Sequence, residues 1–152
     1  MFDHQRAIDA FTYAGIDYLV HVPATGMSPI YNYFEAQNAC IYATREEEAV
    51  AIACGLAIAG KTPLVFIQQS GVGNLLNAYI GLSEGYDIYF PTLVLDRGID
   101  DENPIQAYSS ARTIPILNAL GGFRLLDFSA ININEQLTLE IKNKKRWFVT
   151  KY

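Results

Sequence analysis

Positive charge is scarce in this sequence, and it is not clustered. Eleven Lys and Arg stand against sixteen Asp and Glu, a formal net charge of −5. Nucleic acid is therefore excluded as a partner, because its phosphates need clustered cations. The one basic stretch, Lys142, Lys144, Lys145 and Arg146, reads as a solvated helix end, where cations suit the dipole. Cysteine is nearly missing. Cys40 and Cys54 stand alone, with no metal-ligand spacing, so no metal site is expected and both read as small buried hydrophobes. Long apolar runs are missing too, which excludes a membrane span. The start, Met1-Phe2-Asp3-His4-Gln5-Arg6, lacks the basic and apolar regions of a signal peptide, so a cytoplasmic protein is expected. Repeats, linkers and low-complexity segments are likewise absent.

What is present is apolar and aromatic. At 51% apolar and 18% charged, the 152 residues suffice for a single domain, 1–152, with a real core. Ten Tyr and eight Phe exceed what a minimal core needs, which implies an aromatic surface covered by another chain.

Periodicity alternates along the chain. A helix from Asp3 to Ala14, stopped by Gly15, leads to a strand from Ile16 to Val22. Pro23-Ala24-Thr25-Gly26 breaks the pattern before a helix from Met27 to Ala36 and a strand from Cys40 to Thr44. A helix headed by Glu46 follows, then a strand from Pro63 to Gln69, a helix from Asn74 to Ser83 and a strand from Tyr89 to Asp96. From Arg97 to Ala111 the period is lost, and Gly98 to Ala107 reads as a loop long enough to carry function. A helix from Thr113 to Leu120, a short strand from Phe123 to Asp127, a helix from Ile131 to Asn143 and a strand from Trp147 to Lys151 complete the chain. The alternation predicts an α/β fold: a doubly wound, mostly parallel sheet with helices on both faces.

In such sheets ligands sit beyond the carboxyl ends of the strands. Pro23-Ala24-Thr25, Glu46, the turn Ser70-Gly71-Val72-Gly73-Asn74 and Arg97-Gly98 all fall there, and are expected to line one crevice. Glycines allow close backbone approach, and helix N-termini present amide donors. Three consecutive carboxylates, Glu46, Glu47 and Glu48, also suit a helix dipole, and spacing does not choose among them. His4 reads as a residue of a surface helix and His21 as a satisfied core histidine, both away from the crevice.

Taken together, Arg45-Glu46 through Gly60-Lys61, Gln68-Gln69-Ser70-Gly71-Val72-Gly73-Asn74-Leu75-Leu76-Asn77, and Pro91-Thr92-Leu93-Val94-Leu95-Asp96-Arg97-Gly98 resemble a known family. It is the pyrimidine-binding domain of thiamine diphosphate-dependent decarboxylases, and sulfopyruvate and phosphonopyruvate decarboxylases look closest. The likeness runs from about Gly15 to the last strand. Its most specific parts are the acidic helix start with Gly55 nine residues on, and the Gly-rich turn.

The resemblance implies a role for each position. Glu46 matches the glutamate that hydrogen-bonds N1′ of the cofactor's aminopyrimidine, the step that prepares C2 of the thiazolium for attack on a 2-oxo acid. Gln69, Ser70, Gly71, Gly73 and Asn74 match the turn packed around the pyrimidine and the subunit contact, although the family more often has Asn at position 69. Pro23, Ala24, Thr25 and Gln106 match substrate positions. There the family has Pro-Asp-Ser and Gln-His, so an acid at Ala24 and an imidazole at Ala107 are missing. The family's Mg2+ and diphosphate site begins with Gly-Asp-Gly, which does not occur here. The resemblance therefore implies an α subunit acting with a separate diphosphate-binding, Mg2+-holding β subunit, as α2β2 or larger, on a small 2-oxo acid. The helix from Asn74 to Ser83, with Leu75, Leu76, Tyr79 and Ile80, is expected in a subunit interface. Two other readings stay open: a carboligating enzyme subunit, and a non-catalytic regulatory or binding subunit of the same fold.

Overall fold

The computed structural model describes residues 2–152. The chain runs α1 (His4–Tyr13), β1 (Tyr18–His21), α2 (Ser28–Glu35), β2 (Cys40–Tyr42), α3 (Glu46–Ile58) and β3 (Pro63–Gln68). It continues through α4 (Val72–Ala78), β4 (Thr92–Asp96), α5 (Pro104–Ala119), β5 (Arg124–Leu125), α6 (Ile133–Lys142) and β6 (Trp147–Lys151). A 3-10 turn, Gln69–Gly71, joins β3 to α4, and α4 runs on into a π-helical turn, Tyr79–Glu84.

Alternation within the strands assigns the helices to faces. Leu19, Leu64, Phe66, Leu93, Leu95 and Phe148 point to one side, where they pack with buried residues of α1, α2 and α6. Val20, Val65, Ile67, Val94, Trp147 and Val149 point to the other, against α3, α4 and α5. Burial on both faces is why the inner strands read as continuous apolar runs. The sheet is parallel throughout, in the order β2-β1-β3-β4-β6-β5. The chain steps from β1 outward to β2 and returns on the far side of β1 to β3. Connections therefore diverge beyond the carboxyl ends of β1 and β3, which is where an open α/β sheet offers a crevice.

In α3 the buried residues are Ala49, Val50, Ala53 and Cys54, small enough to let the helix lie close to the sheet and to α4. Burial raises the thiols of both Cys54 and Cys40, the latter to about 11, as inert packing groups require. No helix among the described residues is long and apolar enough to cross a membrane.

Four expectations are corrected. The long loop is short, because α5 begins at Pro104 and not at Thr113. Asn103 caps that helix, its Oδ1 accepting from Ile105 N–H at 3.0 Å, and Pro104 fits the first turn. Its early turns hid from periodicity because Ile105 and Tyr108 are exposed, while the buried face is Ser110, Thr113 and Leu117. Arg146 is no solvated helix end: it donates to Ser83 Oγ, Ile88 O and Asp87 Oδ1, at 2.8, 2.9 and 3.0 Å, and ties the π-helical turn to β6. Leu75 and Tyr79 are fully buried in this chain's own core, which leaves only Leu76 and Ile80 of the expected interface set facing outward.

The fourth concerns the histidines. His21 is buried as expected, but it ends β1 at the carboxyl edge, and neither ring nitrogen has a partner among the described residues. Its ring stacks on Tyr31 at 3.7 Å and lies 4.4 Å from Tyr42, whose hydroxyl donates to Glu35. His4 also reaches this edge, through a ring nitrogen 2.8 Å from Gly26 O.

Burial lowers the pKa of His21 to about 4, from 6.5. Folding therefore favours the neutral ring. Above pH 6.5 this has no effect, while between 6.5 and about 4 the unfolded chain takes up a proton that the folded one refuses, and stability falls with pH. The loss is about 1.4 kcal/mol per pH unit, or roughly 2 kcal/mol at pH 5. His21→Phe keeps the stack and removes the titration. Urea melts at pH 7.5 and 5 are expected to show the wild type losing about 2 kcal/mol more than the variant; equal losses would refute this account.

Candidate active site

The first turn of α3 presents three glutamates about 100° apart, and the structure gives each a different neighbour. Glu48 reaches back to Thr44, accepting from its N–H at 2.6 Å and its hydroxyl at 2.7 Å. The Thr44 hydroxyl and then its amide hold Glu48 below the usual carboxylate range. Glu47 pairs with Arg45 Nε at 2.8 Å on an exposed side of the helix. Glu46 instead crosses to the turn after β3, where Asn74 Nδ2 donates to its Oε2 at 2.9 Å.

Gly71 makes that crossing possible. A Cβ at position 71 would sit 2.7 Å from Glu46 Cγ and overlap the carboxyl group itself. Backbone strain is not the reason, since φ at Gly71 is −87°. The space is simply taken by Glu46. Gly73 differs, because a Cβ there would meet nothing within 4 Å, so this chain has no steric need of a glycine at that position.

On the other side of the turn, Gln106 in the first turn of α5 accepts at Oε1 from Gln68 Nε2 at 2.6 Å and from Gln69 Nε2 at 3.0 Å. Gln69 is buried, and its Oε1 has no donor among the described residues. Glu46, Gly71, Asn74, Gln68, Gln69 and Gln106 thus form one connected group, with Ser70 exposed at its surface. Gln68 is the member that sequence reasoning missed. As the last residue of β3 it read as the end of a buried strand, yet a polar side chain at a carboxyl end was the available signal.

The corner Pro23-Ala24-Thr25 is not joined to that group. Its anchors lead to other elements: Ala24 N–H donates to Tyr31 Oη at 2.9 Å, and the next residue, Gly26, with φ of 80°, lies under the Tyr152 hydroxyl and binds His4. After β4, Arg97 Nε pairs with Asp101 at 2.8 Å, Asp101 accepts from Asn103 N–H at 2.8 Å, and Asn103 caps α5. The expected single crevice is therefore several corners on one edge, of which the turn after β3 and α5 are directly bonded. A cavity of about 530 Å³, lined by Asp96, Ile99, Ser110, Ile114, Phe123 and Lys151, opens elsewhere and does not include Glu46.

Residues 4–103, well over half of the chain, match the family described as "Thiamine pyrophosphate enzyme, N-terminal TPP binding domain". The chain belongs to that family. It is 36% identical over 91 residues to sulfopyruvate decarboxylase subunit alpha of Methanothermobacter thermautotrophicus, a stretch covering 59% of this chain and 55% of that one. It is 29% identical over 136 residues to sulfopyruvate decarboxylase of Methanosarcina acetivorans, covering 89% of this chain and 34% of that one. The chain thus spans about half, or less, of the curated relatives it matches. Among solved structures, a split-gene transketolase described as an inactive beta4 tetramer shares the fold, with a TM-score of 0.68, 9% identity, and coverage of 97% of this chain and 48% of that one. The family match ends at residue 103, so Gln106 and the rest of α5 lie beyond it.

The Gly71 contact yields a double-mutant test. Gly71→Ala should cost about 1–3 kcal/mol through overpacking in the wild type. In a Glu46→Ala background the space is free, and the same change should cost close to nothing. Chemical melts of the four chains measure the coupling; a cost independent of residue 46 would show that the overlap is not what makes Gly71 necessary.

Proposed function

We propose that this chain is the pyrimidine-binding α subunit of a thiamine diphosphate-dependent 2-oxo acid decarboxylase, acting on a small acidic substrate of the sulfopyruvate or phosphonopyruvate kind. The observation that carries the reading is the placement of Glu46. Asn74 holds one carboxyl oxygen, Gly71 brings the turn against the other, and Oε1 accepts no hydrogen bond among the described residues. A half-buried carboxyl group with one oxygen held and the other packed but without a hydrogen bond suits a partner nitrogen that exchanges a proton, so the residues fit the group that the family name implies.

When bound, thiamine diphosphate supplies the thiazolium carbon that adds to the 2-oxo acid and the electron sink for loss of CO2. Glu46 would share a proton with N1′ of the aminopyrimidine, the function expected of it by resemblance. Asn74 would keep the carboxyl group turned toward the ring. Gln69, Ser70, Gly71 and Gly73 would provide the close backbone surface on which the ring lies, Gly73 supplying clearance that this chain itself does not use. Pro23, Ala24, Thr25 and Gln106 are the proposed substrate contacts on the same edge.

The diphosphate and its Mg2+ are assigned to a separate β subunit. That assignment is supported by relatives whose names make them alpha subunits. The outward face of α3 and α4 supports it as well. Ala51, Gly55 and Ile58 on α3, with Leu76, Ile80 and Gly81 on the neighbouring segment, are exposed or half-exposed. A Cβ at Gly55 or Gly81 would meet nothing within 4 Å, and neither has a positive φ. Each helical glycine costs about 1 kcal/mol relative to alanine, and close approach of another subunit would explain keeping them.

Assembly with the diphosphate-binding chain, followed by CO2 release from sulfopyruvate or phosphonopyruvate, tests the reading directly. Within the active complex, Glu46→Gln is expected to slow deuterium exchange at C2 of bound cofactor by orders of magnitude, several kcal/mol of barrier. Gln at position 47 or 48 should change it little. Normal exchange in the Glu46 variant would remove the central claim.

Gly55→Leu should leave the isolated chain folded, with a melting temperature no lower than the wild type's, and abolish assembly. Sedimentation of the variant with its partner checks this, and a normal complex would move the interface away from α3.

A further inference from the structure

Gln106 has more to do at this edge than meet a substrate. Its Oε1 accepts from both Gln68 Nε2 and Gln69 Nε2, and its backbone oxygen accepts from Gln69 Nε2 at 3.3 Å. The backbone oxygen can only accept, which fixes Gln69 Nε2 as a donor and with it which way the Gln106 amide points. Reversed, the Gln106 NH2 group would face two other NH2 groups, with donors against donors. The oxygen is therefore committed to the end of β3, and only the Gln106 N–H groups remain for anything beyond.

Gln69 in turn has little freedom. It is only 2% exposed, and its backbone oxygen lies 3.5 Å from the Thr113 hydroxyl farther along α5. Gln69, Ser70 and Gly71 make a single 3-10 turn. A shift of Gln69 must move Gly71, and Gly71 has no slack because Glu46 fills the space beside it. The chain of contact runs from α5 through Gln106 and Gln69 to Gly71, and from there to Glu46 and Asn74.

We propose that Gln106 is a positioning residue, acting through its acceptor oxygen on the turn after β3 and so on Glu46. The inference rests on the reading of Glu46 as the glutamate that meets the aminopyrimidine. It assigns Gln68 and Gln69 as the receivers of the brace. It also separates the two ends of one amide: the oxygen serves the cofactor side, and the N–H groups are left for the substrate.

Two variants divide these roles. Gln106→Leu removes both ends, whereas Gln106→Glu keeps an oxygen acceptor and loses the N–H donors. In the isolated full chain, backbone hydrogen exchange over residues 69–74 should be faster in Gln106→Leu and return to the wild-type rate in Gln106→Glu. In the complex with thiamine diphosphate and no substrate, C2 deuterium exchange should fall about 10-fold in Gln106→Leu, roughly the effect of one buried hydrogen bond. It should recover to within about 3-fold in Gln106→Glu. If both variants keep wild-type exchange at 69–74 and at C2 but raise KM for the 2-oxo acid, Gln106 acts on substrate alone and the proposal is overturned. Equal damage by both variants overturns it too, since the acceptor would then not be what matters. A wild-type complex without C2 exchange would sink the proposed function, while protection over 69–74 would still decide the brace.

Discussion

The carboxyl group of Glu46 occupies the space that a Cβ at Gly71 would need, so Glu46 keeps this placement against the turn after β3 only while position 71 is glycine. That steric fit brings two segments 25 residues apart in sequence into one cluster. Asn74 then fixes the rotation of the carboxyl group through a single bond of 2.9 Å. The other two glutamates are drawn off by Thr44 and Arg45, so one first turn supplies a tie back to the preceding loop, a surface ion pair and a group aimed at the turn.

The cluster is built on one face of the sheet, where α3, α4 and α5 all pack. Small residues on α3 let it approach α4 and the strands, and the 3-10 turn places Gly71 beneath Glu46. From the other side of the turn, α5 reaches Gln68 and Gln69 through Gln106. Two elements thus clamp one short turn from two directions. A turn held this way keeps its shape before any ligand arrives, the kind of preorganisation on which positioning of a reactive group depends.

Several outward features have no use inside this chain. Gly55, Gly73 and Gly81 accommodate no neighbour, and Leu76 and Ile80 face away from the core. Glycine in a helix and apolar side chains at a surface both carry a free-energy cost, and both gain meaning when another surface closes over them. His21 is a different kind of cost: a neutral ring whose two nitrogens have no partner among the described residues, stacked on Tyr31 with Tyr42 tilted against it.

Periodicity alone laid out the alternating strands and helices, because burial on two faces writes an apolar run wherever an inner strand lies. The acidic helix start and the Gly-rich turn were equally legible, as was the family they resemble. Four things were not. The first half of α5 was hidden because it buries Ser110 and Thr113 rather than a stripe of large apolar residues. Arg146 read as a surface cation because sequence cannot show that Ser83, Asp87 and Ile88 lie 58 or more residues away in the chain yet within hydrogen-bond reach. Which of three consecutive glutamates meets the turn after β3, and the sharing of one Gln106 oxygen by two glutamines, depend on which helix faces which turn. Local sequence sets spacing along an element, whereas the direction in which a side chain meets a distant segment is set by how the elements pack.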